Sequence, residues 1–185
     1  MNRLFAFFAI AVLGACSQTP FINIYPQVHH LEVRSNFYAG VVSQFSAAGG
    51  PTIVRGTPQG GATPTEIVSA LRLPHFLSKQ GLTAIDNTKA AKGIHLVLTI
   101  APNPTASADA VCRGEVTGAE AGEQLRVLGV FCRSSRAMSE AVVFAKGSPP
   151  AGDPAFAKAL NRLIASIMPP VDPNRDQANI RRPNP

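Results

Sequence analysis

The chain has 185 residues, 45% of them hydrophobic and 15% charged, a length suited to one domain with flexible ends. Its 17 basic residues exceed 11 acidic ones by +6, but no run of like charge forms a polybasic stripe, the electrostatic footprint of a nucleic-acid partner. With no Trp and two Tyr, it also lacks the aromatic series on which nucleic-acid bases or sugar rings stack.

The N-terminus reads as an export signal: one basic residue, Arg3, an apolar run of ten residues from Leu4 to Leu13, then the small residues Gly14 and Ala15. A spanning helix needs roughly 18 or more apolar residues, so this block is too short to be one. The four residues "LGAC" that close it resemble the lipobox of bacterial lipoprotein signal peptides. The resemblance implies cleavage between Ala15 and Cys16, a diacylglyceryl thioether on Cys16 and an amide-linked acyl chain on its new amino group. One acyl chain binds a membrane reversibly and two or more hold it stably, because each buried methylene contributes about 0.8 kcal/mol. Ser17 after the cysteine resembles the sorting signal for the outer rather than the inner membrane. The expected organisation is a signal peptide over 1–15, a lipidated tether over 16–26, one domain over 27–169 and a disordered Pro- and Arg-containing tail over 170–185. Fully extended, the tether reaches at most about 40 Å, which keeps the domain near its membrane.

Three cysteines are an odd number for an exported chain. Assigning Cys16 to lipid leaves Cys112 and Cys132 as a candidate disulfide in an oxidising compartment. The segment between them holds two apolar-rich runs around "TGAEAGE", and a hairpin folded near Gly122 would place the cysteines opposite each other. The alternative is two separately buried thiols.

Along the domain, "QVHHLEVRSNFYAGVVSQF" has β-branched and aromatic runs that predict one or two strands. A connector rich in Gly and Pro follows, with "TIVR" as its one strand, and it lacks the lysine a P-loop needs. Thr63, Pro64 and Glu66 form a T-x-x-E helix start, with Ile67, Val68 and Leu71 as its apolar stripe and Pro74 as a break. A short helical turn is expected in "HFLSKQG". In "GIHLVLTIAP", Ile94, Leu96, Leu98 and Ile100 alternate with His95, Val97 and Thr99, which predicts a central strand. The second arm of the cysteine hairpin is expected to turn at Ser134 and Ser135 into "AMSEAVVFA", making a meander. Asp153 and Pro154 start the last helix, whose stripe of Phe156, Leu160, Leu163, Ile164 and Ile167 suits packing on a sheet better than lying on a membrane. Together these elements predict an α+β domain, an antiparallel sheet of about four to six strands with two helices on one face.

The segments "GGPTIVRGTP", "VCRGEV", "VFCRSSRAMSEA" and "DPAFAKALNRLI" resemble a group of short proteobacterial periplasmic lipoproteins, over about residues 40–169. In that group two cysteines bracket a hairpin and a D-P-x-F helix closes the chain. No established activity comes with it, so no catalytic or binding residue is transferred.

Other chemistry is sparse. Adjacent His29 and His30 on a strand would point to opposite faces, one buried and one exposed, and neither they nor His75 and His95 have metal-ligand spacing. G-x-S-x-G is absent, and Glu115 and Glu140 read as solvated face residues on neighbouring strands. No catalytic residue, metal site or cofactor is expected. The function this predicts is a non-enzymatic binding, accessory or structural protein, held to the membrane through Cys16 and serving an envelope partner. The alternative is a periplasmic thiol or Cys/His hydrolytic enzyme built on Cys112 or Cys132 with His95 as base.

Overall fold

The computed structural model describes residues 26–77, 81–86 and 92–171. Cys16, the signal segment and nearly all of the tail therefore lie outside the described residues. The described chain is α+β, with six strands in one sheet and four helices packed against it: β1 (Gln27–Val33), α1 (Ala39–Ala47), β2 (Pro51–Arg55), α2 (Pro64–Ser69), β3 (Thr83–Ala84), β4 (Ile94–Ile100), α3 (Ala108–Arg113), β5 (Gln124–Arg133), β6 (Arg136–Lys146) and α4 (Pro154–Ile167). Strand order is β1-β6-β5-β4-β2-β3. The β1, β6, β5 and β4 neighbours are antiparallel, whereas β2 runs parallel to both β4 and β3, so the sheet is mixed. None of the described helices is long and apolar enough to cross a membrane.

The period-2 pattern of β4 explains its central place, because every residue from His95 to Ile100 is buried. Leu96, Leu98 and Ile100 join the main core with Val41, Val42 and Phe45 of α1, Ile67 of α2 and the α4 stripe. Val97 belongs to a second cluster on the opposite face, with Ala108, Val111 and Cys112 of α3. Three helices thus cover one face and α3 covers part of the other. On the crowded face, α4 comes so close to β5 that a Cβ at Gly129 would lie 2.9 Å from a Leu163 methyl.

The punctuation read from sequence sets the helix starts. Thr63 Oγ1 accepts from the Glu66 N–H while the Thr63 N–H donates to Glu66 Oε2 at 2.7 Å. Asp153 caps α4 by accepting from the Ala155 N–H at 2.8 Å. α2 stops at Ser69, ahead of Pro74, and the single turn that follows is closed by the Leu77 N–H on the Pro74 carbonyl.

Two local expectations are corrected. The segment "AGVVSQFSA" is helix α1 and not a second strand, because Val41, Val42 and Phe45 are spaced to bury along one helical side. The cysteine hairpin does not form either. Cys112 lies in the last turn of α3, the loop after it hydrogen-bonds through Ala119 and Ala121 to Thr57 just past β2 and to Ile100 at the end of β4, and the strand beside β5 is β4. The β5–β6 arm with its turn at Ser134 and Ser135 is present.

Candidate functional site

α3 is a six-residue helix started by Ser107, whose side chain accepts from the Ala110 N–H, and stopped by Gly114 in the left-handed region at φ 83°. Cys112 faces the sheet, and its sulfur stands 2.01 Å from that of Cys132 on β5, with Cα atoms 5.7 Å apart. The pairing expected from the cysteine count is therefore present at bonding distance, but it ties a helix to a strand. Arg55 reaches across from β2 and donates from Nη1 to the carbonyls of Val111 (2.8 Å) and Val116 (3.3 Å), which satisfies the C-terminal end of the helix.

His95 is the register partner of Cys132 on the adjacent strand, so ring and disulfide lie on one sheet face. The ring is 1% exposed, and its Nδ1 lies 3.1 Å from the Gly93 carbonyl and donates to it. Burial pushes the imidazole pKa below its ordinary value, the Gly93 carbonyl opposes this and the charge on Arg55 adds to it. A histidine of lowered folded-state pKa binds a proton more readily when unfolded. Stability is thus expected to hold above the ordinary imidazole value of 6.5 and to fall as pH drops below it. Urea melts at about pH 7.5 and about pH 5.5 check this, with His95→Gln expected to flatten the difference.

The adjacent pair on β1 is placed differently from expectation. His29 and His30 are both exposed, because His30 adopts φ 51° and the β1–β6 register shifts between His29 and Glu32. His29 instead stacks edge-on against Phe144, with ring centroids 5.6 Å apart. His75 is exposed. Among the described residues no three His, Cys, Asp or Glu side chains are grouped to hold a metal ion.

A polar cleft of about 510 Å³ opens where the end of β1, helix α3 and the β5–β6 turn meet. Asp109 organises it. One carboxylate oxygen accepts from the Ala137 N–H at 2.8 Å and the other from Arg34 Nη1 at 2.9 Å. The Ala137 N–H, with the Arg34 and Arg113 guanidinium groups, holds the Asp109 carboxyl below the usual carboxylate range. Arg34 also lies 3.5 Å from Glu32 and 3.8 Å from Glu140. Burial pushes the Glu140 carboxyl up, and Arg34 opposes that shift. Arg113 makes a two-bond fork to Glu115 at 2.6 and 2.8 Å. Glu140 is thus a half-buried partner of Arg34, and Glu115 lies on the loop after α3; they do not share a solvated sheet face.

None of the cleft's charged residues was singled out from the sequence as a binding group. Arg34 and Asp109 are 75 positions apart, and only the docking of α3 beside the end of β1 brings them together. The one local signal is Asp109 in the first turn of a Ser-capped helix. Protein-family models, curated proteins and solved structures contain no match to the chain.

Proposed function

We propose that this chain is an envelope lipoprotein, anchored through acyl chains on Cys16 at the periplasmic face of a membrane, the outer rather than the inner. There it plays a non-enzymatic binding or accessory role toward another envelope component. The observation that supports this reading is the cysteine accounting. Of three cysteines, two pair at bonding distance inside the domain, and the third follows "LGA" at the end of a short apolar run. A buried disulfide suits an oxidising compartment, and an odd cysteine there calls for another covalent fate.

Intact-mass measurement of the full chain expressed in a Gram-negative host tests the anchor. The expected mass is that of a chain beginning at Cys16 with acyl additions, and Cys16→Ser is expected to lose both the cleavage and the acyl mass. An unmodified cysteine in the wild-type protein overturns the reading. The second reading, a thiol or Cys/His enzyme, draws on the register pairing of His95 with Cys132. It needs a free thiol of lowered pKa, so alkylation of the denatured, unreduced protein decides in the same spectrum. The lipoprotein reading expects no alkylation at Cys112 or Cys132, and modification of both would favour the enzyme.

A further inference from the structure

Residues 16–26, the proposed tether, lead directly into edge strand β1, whose hold on the sheet is slight. β1 sits at the end of the strand order with β6 as its neighbour, and five of its seven residues are exposed. The ladder is also interrupted, because the register shifts between His29 and Glu32, where His30 adopts φ 51°. The first rung after this break sets Glu32 directly opposite Glu140. Like charges in that position destabilise a strand pair. Arg34 faces three carboxyl groups there, Asp109 at 2.9 Å, Glu32 at 3.5 Å and Glu140 at 3.8 Å, so its shortest contact goes to Asp109 on α3. On its other side Glu140 has the apolar Val130 of β5 as register partner. Half-buried Glu140 is also within hydrogen-bonding reach of the Glu32 side chain. Two carboxyl groups hydrogen-bond only when one of them carries a proton.

We infer that the Glu32–Glu140 pair is a proton-operated clasp: a proton shared between the two carboxyl groups holds β1 on β6, and its loss loosens the strand and lengthens the tether. The lengthening rests on the reading of the chain as anchored through Cys16, whereas the clasp itself does not. Burial raises the Glu140 pKa above the ordinary carboxyl value of 4.5, Arg34 opposes this, and Glu32 and Asp109 add to the rise. A group whose folded-state pKa is raised binds its proton more tightly with the strand in place. Closure is therefore favoured as pH falls toward 4.5 and is lost as pH rises through the folded value. Asp109, held low by the Ala137 N–H and Arg34, stays ionised over that window and keeps its bond to Arg34. Freeing the seven residues of β1 adds about 25 Å of reach at 3.3–3.6 Å per residue, beside the tether's own limit of about 40 Å.

Two measurements on the full chain in detergent test the clasp. In a carbon-13 NMR titration, the Glu140 carboxyl is expected to have its midpoint above 4.5 in the wild-type protein and a lower one in Glu32→Gln. Amide exchange, corrected for intrinsic rates, reads the strand through the β1 amides bonded to β6 and through Arg34, whose N–H donates to the Met138 carbonyl at 2.9 Å. Their protection is expected to rise roughly threefold or more from about pH 7.5 to about pH 5.5 in wild type, and to be high and level in Glu140→Gln. The amides of β4 are the reference, because His95 lies there, separated from β1 by β6 and β5, and its effect runs the opposite way. His29 and His30 are present in both proteins, so the comparison cancels them. A Glu140 midpoint at or below 4.5, a midpoint unmoved in Glu32→Gln, or the wild-type pH dependence of β1 persisting in Glu140→Gln overturns the proposal. The two readings fail separately. An unmodified Cys16 would remove the effect on the tether while leaving the clasp, and a failed clasp would leave the acyl mass on Cys16 untouched.

Discussion

Replacing Cys112 and Cys132 together by alanine is expected to lower the unfolding free energy by about 3 kcal/mol, or a melting temperature by roughly 10 °C. The bridge spans a sequence separation of 20, and closing a loop of that size removes about this much chain entropy from the unfolded state. Both sulfurs are buried, so the alanines also leave space between α3 and β5. Reduction of the wild-type protein should produce a loss of similar size, and chemical denaturation with and without reductant measures both. A change below about 1 kcal/mol would mean that Arg55 and Asp109 hold α3 on the sheet without the bridge. The consequence reaches the cleft, since α3 carries Asp109 and Arg113. In the double variant the wall facing Arg34 is held by the packing of Ala108 and Val111 on the sheet and by hydrogen bonds to Arg34, Arg55 and the Ala137 N–H.

What could be read from the sequence was what local chemistry decides. Thr63, Glu66, Asp153 and Pro154 satisfy orphan backbone groups within a few positions, so they announce α2 and α4 without reference to the rest of the chain. The alternation from Ile94 to Ile100 is likewise a property of the strand itself. α1 was hidden because Val41, Val42 and Phe45 favour strands by only tenths of a kcal/mol. Burial of all three against the sheet overrides that preference. Cys112 was misplaced for a related reason: a hairpin and a short helix with a return loop both bring residues 20 apart into contact. The choice between them depends on what else can pair with β5. β4 takes that edge through a seven-residue ladder from Ile94 to Ile100, a long-range pairing the spacing of the cysteines does not carry. The cleft is less legible still, because Arg34, Asp109 and Arg136 come from three segments and only Asp109, in the first turn of a Ser-capped helix, has a local signal.

Gly118 and Gly122 look equivalent in "TGAEAGE", yet their substitution is expected to have opposite outcomes. A side chain at Gly118 would run into the backbone of β2: a Cβ there overlaps the Arg55 carbonyl and lies 2.5 Å from the Gly56 nitrogen. Gly56 is equally constrained, since its φ is 79° and its own Cβ would stand 2.5 Å from the Ala119 carbonyl oxygen. This close crossing lets the loop after α3 continue the sheet's hydrogen bonding. The Thr57 N–H donates to the Ala119 carbonyl at 3.1 Å, the Ala121 N–H to Thr57 at 2.9 Å and the Ala119 N–H to Ile100 at 3.0 Å. Gly118→Val must push the two backbones apart, which strains all three bonds and lifts buried Ala121 from the core. The expected loss is about 3 kcal/mol or more, read by urea denaturation. Gly122 has open space where its Cβ would be, so Gly122→Ala should stay within about 0.5 kcal/mol of wild type. The pair is a direct test of the chain path between the cysteines: a hairpin folded at Gly122 would make that glycine the sensitive one, whereas a loop crossing β2 puts the sensitivity at Gly118.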